Sequence, residues 1–289
     1  MFPEIQTFVG GPVTLPFLPA LYYYMGYALD GDLQPPTKSK ITLTTADGHK
    51  IVFKGDFTVT GGDVTGGTMT KFTVFAGSTK VVEGSGYDVD AAALFDALQT
   101  YGTDSSPFNE LVLDQPTKYV GSEFDDTLYS MGDVATKLIG RGGNDVLVAA
   151  STDGIVIKGG SGDDLIAAAE GPSKLWGGPD DDVFGLFFDP MDPPTSIAKI
   201  KDFVPGEDLI GLQAADGFLP PGFLDKSHFH KGTEATKASH VVIYDKDSGK
   251  VYIDVDGSGV EAQFQIAKVT PGTKLGAGDF YVDFGLGIA

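Results

Sequence analysis

The sequence predicts a mainly β protein: a parallel β-roll of nonapeptide repeats, flanked by β-rich N- and C-terminal regions, with at most one short helix. Three observations predict it. Forty of the 289 residues are glycine, about double the usual share, so short segments joined by tight turns should dominate. Apolar residues alternate at period two before residue 76. From Gly121 a Gly/Asp pattern returns every 18 or 19 residues, which marks an internal repeat. The chain is therefore divided into a β-rich region, 1–120, the repeats, 121–185, and a C-terminal capping region, 186–289.

The stretch from Pro12 to Leu29 is apolar but is expected to be neither a signal peptide nor a membrane span. No Lys or Arg precedes Lys38, and Pro12, Pro16 and Pro19 interrupt a spanning helix. It is expected to pack on the core. Ile41-Thr-Leu43-Thr and Phe57-Thr-Val59 alternate as strands do, and Ala46-Asp47-Gly48 supplies a hairpin turn before Ile51-Val52-Phe53. Gly61-Gly62 and Gly66-Gly67 mark further turns. One helix is expected from Ala91 to Tyr101, with Asp90 as N-cap, Leu94, Leu98 and Tyr101 on one face, and Gly102 as its stop.

The repeats read GSEFDDTLY from Gly121, GRGGNDVLV from Gly140, GGSGDDLIA from Gly159 and GGPDDDVFG from Gly177. Their sixth-position aspartates are Asp126, Asp145, Asp164 and Asp182. Leu128, Leu138, Leu147, Ile157, Ile166, Leu175 and Phe184 follow one another at intervals of 9 or 10 residues. Each nonapeptide is thus one tight turn plus one short strand with an inward apolar residue, and two make a full coil. The Gly/Asp turns stack on one edge. The opposite turns, around Asp133, Asp153 and Gly171, lack the pattern and are expected to be metal-free.

Stacked parallel strands sit ~4.8 Å apart, so those aspartates form a column, with Asp125, Asp163, Asp180 and Asp181 beside it. Two like charges ~4 Å apart cost about 4 kcal/mol at a surface-like dielectric, and a cation between layers reverses the sign. Glycines in φ > 0 conformations turn backbone carbonyls toward the same space. All ligands are then oxygens, which selects Ca²⁺, Mg²⁺ or Mn²⁺ over zinc or copper, and a carbonyl-rich cage suits the six to eight ligands of Ca²⁺. Calcium is the expected cofactor.

Residues 121–185 resemble the calcium-binding repeats of RTX (repeat-in-toxin) hemolysin-type exoproteins. That resemblance implies three sites. Ser122, Phe124 and Asp126 face Gly140, Gly142 and Asp145; Arg141, Gly143 and Asp145 face Gly159, Ser161 and Asp164; Gly160, Gly162 and Asp164 face Gly177, Pro179 and Asp182. Phe124 and Asp180 replace the fourth-position glycine of the family. Ile200-Lys-Asp-Phe-Val-Pro-Gly-Glu-Asp-Leu-Ile-Gly-Leu212 is similar to the segment that caps the roll in these proteins. Residues 241–282 look like their C-terminal hairpin region, where an uncleaved signal directs type I secretion.

Composition excludes other classes. Forty acidic against 20 basic residues give a net charge of −20, a field that repels nucleic acid. Without cysteine there are no disulfides, thiolate zinc sites or thiol nucleophiles. Neither H-E-x-x-H nor G-x-S-x-G occurs, and no long apolar helical segment is present, so no integral membrane protein is expected. Asp254-Val-Asp-Gly-Ser-Gly opens like an EF-hand loop, but Gln265 stands at the twelfth position, so a hairpin turn is expected. His228 and His230, with Asp225 nearby, are a candidate metal or general-base pair whose third partner is not evident.

The expected function is a secreted, non-catalytic calcium-binding protein whose roll folds on Ca²⁺ outside the cell, serving adhesion or matrix and surface association with extracellular polysaccharide or a cell surface as partner. The alternative is an extracellular enzyme acting on a polysaccharide or ester, with its site in the N-terminal region or near His228 and His230.

Overall fold

A computed structural model describes residues 4–7, 20–115, 117–131, 136–151, 154–168, 171–194, 196–214 and 218–283. The turns around Asp133 and Asp153 and the last residues of the C-terminal segment lie outside them. The protein is mainly β with a few short helices and forms two compact units, Met1–Leu128 and Tyr129–Ala289.

In the first unit, Lys40–Thr44, Lys50–Thr60, Asp63–Ala76 and Thr79–Asp90 form an antiparallel meander. Its alternation is the expected one: Ile41 pairs with Phe53 and Phe53 with Phe72, and all three are fully buried. Glu4–Thr7 joins the other edge, antiparallel to Thr79–Asp90 and parallel to Thr117–Val120. The turn at Gly48 (φ +91°) and that at Gly61-Gly62 form as expected. Gly66-Gly67 makes no turn. It lies inside a 14-residue strand at an irregularity opposite Thr58 and Val59, where Gly67 (φ +104°) lets the Asp56 carbonyl approach.

The helix Ala91–Thr100 is capped as read: the Asp90 carboxylate accepts from the Ala93 N–H at 2.8 Å. It buries Leu94, Phe95 and Leu98, while Tyr101 caps its C-terminus and sets its ring edge-on to Phe108. The expectation of at most one helix is corrected. A second helix spans Ala20–Leu29, and Ser106–Phe108 leads into a π-turn at Asn109–Leu113. The prolines that argue against a long helix all precede Ala20. The ten residues after them hold no proline, and Met25, Ala28 and Leu29 share a buried face at helical spacing.

The second unit is built from two parallel ladders that the chain visits alternately. One stacks Thr136–Gly142, Ile155–Ser161, Ser173–Trp176 and Ala198–Ile200. It continues through Phe264–Lys268, parallel, and then Lys250–Ile253 and Val242–Asp245, antiparallel. The other stacks Val146–Ala150, Leu165–Ala168, Val183–Phe188, Leu209–Ala214 and Phe280–Val282. The apolar residues spaced 9 or 10 apart fall in register, Leu138, Ile157 and Leu175 in one row and Leu147, Ile166 and Phe184 in the other; Ile200 extends the first row, and Ile210 and Phe280 the second. All are 2% exposed or less, so the two rows form the core.

Candidate metal centre

Three passages from the first ladder to the second run through the Gly/Asp turns, and these three turns share one backbone. At the second position Arg141, Gly160 and Gly178 have φ of +93°, +140° and +127°; at the fourth, Gly143, Gly162 and Asp180 have +99°, +110° and +82°. The alternation is a property of the turn. It forces even Arg141 and Asp180 into the left-handed region, at a cost of about 1–2 kcal/mol each.

The reversals crowd carbonyls and carboxylates where side chains are absent. A Cβ on Gly159 would strike the Asp164 Oδ2 and lie 2.7 Å from the Gly177 carbonyl; one on Gly140 would strike the Asp145 Oδ2 and lie 2.6 Å from the Gly159 carbonyl. On Gly160 it would meet the Arg141 carbonyl, and on Gly162 the Gly143 carbonyl. The expected residues at positions one, two, four and six are thus brought together from Gly140 to Asp182. Gly142, Ser161 and Pro179, at position three, lie in the same turns.

The sixth-position aspartates form a hydrogen-bonded column. The Asp145 N–H donates to Asp164 Oδ1 at 2.9 Å, and the Asp164 N–H to Asp182 Oδ1 at 3.0 Å. Asp145, Asp164 and Asp182 are each 1% exposed, and Oδ2 of Asp164 and of Asp182 has no hydrogen-bond donor. Burial, then the charges of Asp163 and Asp180, push the Asp164 carboxyl up to about 6. Burial, then the charges of Asp164, Asp208 and Asp202, push Asp182 up to about 8. Lone buried carboxylate oxygens of this kind require a proton or a cation. The donor set fits a hard divalent ion. Among the described residues no three His, Asp or Glu side chains gather as a metal-ligand group, so the shell would draw largely on backbone carbonyls.

The first expected turn differs. Asp126 is buried, but its Oδ2 accepts from the Ser122 N–H at 2.5 Å and from the Ser122 hydroxyl at 2.8 Å, while Phe124 is 63% exposed. Ser122, Phe124 and Asp126 belong to the first unit.

Sequence reading missed a fourth member of the column. Asp208 is buried, its Oδ1 accepts from the Asp182 N–H at 3.1 Å, and its Oδ2 from the Val204 N–H at 2.7 Å. Asp202 accepts from the Gly177 N–H at 3.1 Å. The interval from Asp182 to Asp208 is 26 residues rather than 18 or 19, which hides the periodicity. The signal was the triplet Asp208-Leu-Ile210, which repeats Asp164-Leu-Ile166 and Asp182-Val-Phe184.

The other candidates assemble differently. Asp225 caps the turn Lys226–His228 by accepting from the Ser227 N–H at 2.7 Å. His228 ends that turn, and His230 lies on the strand Phe229–Lys231 with its ring stacked on buried His240, centroids 4.4 Å apart. Asp254 to Gln263 connects two antiparallel strands, as expected of a hairpin. Within it, Oδ1 of Asp254 and of Asp256 lack donors, and burial with the Asp256 charge raises the Asp254 pKa. Among the described residues no helix is long and apolar enough to cross a membrane.

No protein-family model and no curated protein matches the chain. Among solved structures, the AlgE6R3 subunit of the mannuronan C5-epimerase of Azotobacter vinelandii shows a weak, remote likeness. It is 20% identical, covering 60% of this chain and 81% of that one, and its TM-score of 0.26 is too low to establish fold or function.

Proposed function

We propose that the Gly/Asp turns are the calcium-binding edge of an RTX-type parallel β-roll, and that the chain is a secreted, non-catalytic protein whose second unit is stabilised by Ca²⁺ outside the cell. The observation that carries this reading is the column of buried aspartates in which Oδ2 of Asp164 and of Asp182 lacks any donor. Arg141, Gly143 and Asp145 with Gly159, Ser161 and Asp164 would hold one ion, and Gly160, Gly162 and Asp164 with Gly177, Pro179 and Asp182 another. Ser122, Phe124 and Asp126 are assigned no ion, since they belong to the first unit and the Asp126 Oδ2 already has two donors.

A bound Ca²⁺ supplies positive charge between acidic layers. The protein supplies preformed carbonyl rows, a buried column that cannot relax away from itself, and glycines that keep Cβ atoms out. Extracellular modules bind Ca²⁺ with Kd of roughly 10⁻⁴–10⁻³ M, so the column would stay uncompensated at low intracellular calcium and close outside. For an enzyme, the described residues offer a cavity of about 250 Å³ lined by Asp88 and Asp90, but Asp90 is engaged as a helix cap. Calorimetry and far-UV circular dichroism with millimolar Ca²⁺ against chelator test the proposal. Heat of binding with a gain of β signal is expected, and neither appearing rejects it.

A further inference from the structure

The chain has 20 basic residues against 40 acidic ones, yet it concentrates lysines on one sheet face. In the first ladder of the second unit, Lys137 pairs with Val156, Val156 with Lys174, Lys174 with Lys199, Lys199 with Lys268 and Lys268 with Lys250. Five of these six cross-strand neighbours are lysine. Their flanking residues Leu138, Ile157, Leu175, Ile200, Ala267 and Val251 are buried, so the lysines occupy the outward face. At one strand per ~4.8 Å the row is about 24 Å long. Beside it, Lys158 pairs with Trp176, the only tryptophan, and its ammonium lies 5.2 Å from the indole centroid. Lys201 directly follows the next strand, Ala198–Ile200.

Such a row is costly. Like charges directly opposite on neighbouring strands destabilise a sheet, and among the described residues none of these lysines is in an ion pair. Two acids lie beside the face, Asp202 near Lys158 and Asp245 opposite Lys250. Lysines that guard against aggregation sit on edge strands, whereas Ile155–Ser161, Ser173–Trp176, Ala198–Ile200 and Phe264–Lys268 are paired on both sides.

We infer that this lysine row, with the Trp176 indole beside it, is a docking face for a linear acidic polysaccharide. Its charges recur at the strand spacing, broken only at Val156, and a pyranose unit is of similar length to that step, so successive acidic sugars meet successive lysines. Trp176 offers a flat apolar surface to the carbon face of a sugar ring. The net charge of −20 disfavours a denser polyanion such as duplex DNA, whose phosphates extend over the rest of the surface. The inference names a partner for the extracellular role and depends on the calcium reading only for that location.

The test is affinity electrophoresis of the full chain in calcium buffer through gels holding short oligogalacturonates, heparin or dextran. Retardation by the first two, weakened by salt, and none by neutral dextran is expected; whichever acidic glycan retards more identifies the carboxylate or the sulfate as the preferred anion. The variant K174Q/K199Q/K268Q is expected to bind about 100-fold more weakly, at about fivefold per lysine as for basic clusters on anionic surfaces. K38Q/K40Q/K54Q, with the same charge change in the first unit, is expected to be retarded as the parent is, each measured against its own mobility in a glycan-free gel. Calcium uptake of each variant, read by calorimetry, separates this from the calcium reading. Retardation by neither acidic glycan, equal loss in both triple variants, or tighter binding to duplex DNA or anionic vesicles would overturn the inference.

Discussion

Replacing Asp182 by Asn separates the two demands made on its carboxylate. The side chain is 1% exposed, its Oδ1 accepts from the Asp164 N–H, and its Oδ2 has no donor. Asn keeps the first contact and removes the charge. Without calcium, the Asp182 pKa rises from 3.8 to about 8, by burial and then by neighbouring carboxylates. The folded state therefore holds a proton that the unfolded state has released. At pH 8 this shift costs a ceiling of about 5 kcal/mol, at about 1.4 kcal/mol per unit, and relaxation and water entry lower it to about half. In chelator at pH 8, D182N should thus be more stable than the parent by about 2–5 kcal/mol. In millimolar calcium the order should invert, because the parent gains the ion and the variant loses a charged ligand. Thermal unfolding followed by circular dichroism in both buffers reads this. A variant less stable than the parent in chelator, or one that gains as much from calcium as the parent, would refute the reasoning.

Other outcomes follow from the same geometry. In chelator, the parent should lose stability as pH rises from about 4 to about 8, since the raised pKa values of Asp164 and Asp182 mean that the folded state binds more protons across that window; calcium should flatten the slope, as chemical denaturation at several pH values would show. Gly159→Ala forces a methyl onto the Asp164 carboxylate and the Gly177 carbonyl; a loss of about 2–4 kcal/mol and of calcium uptake is expected, and unchanged calorimetry would contradict it. Arg141→Gly relieves a left-handed side-chain residue and should stabilise the unit by about 1 kcal/mol, read from the thermal midpoint. Leu175→Ala empties a fully buried site in the first ladder and should cost about 2–5 kcal/mol in chelator and calcium alike.

Much of the second unit was legible because one residue in nine or ten must point inward. Leu138, Ile157 and Leu175 fall in register, and so do Leu147, Ile166 and Phe184, because strand-plus-turn steps of nearly equal length leave a linear trace. The trace fails where turn lengths change, which is why Asp208 was passed over although it occupies the next step of the column. Glycine was a less faithful guide. Gly66-Gly67 bends a continuous strand, while Arg141 and Asp180 adopt conformations usually left to glycine: the stacked turns fix the backbone, and the side chain complies. Ala20–Leu29 was hidden by the prolines before it. The stacking of His230 on His240 joins residues on separate segments and has no local signature.

The aspartate column also has a polarity. Each amide looks forward along the chain for its acceptor: Asp145 to Asp164, Asp164 to Asp182, Asp182 to Asp208. A polypeptide cut before residue 208 would leave Asp182 with an unanswered amide, and every earlier rung would rest on an unfinished one. The downstream segment that carries Asp208 thus supplies the acceptor that closes this edge of the unit.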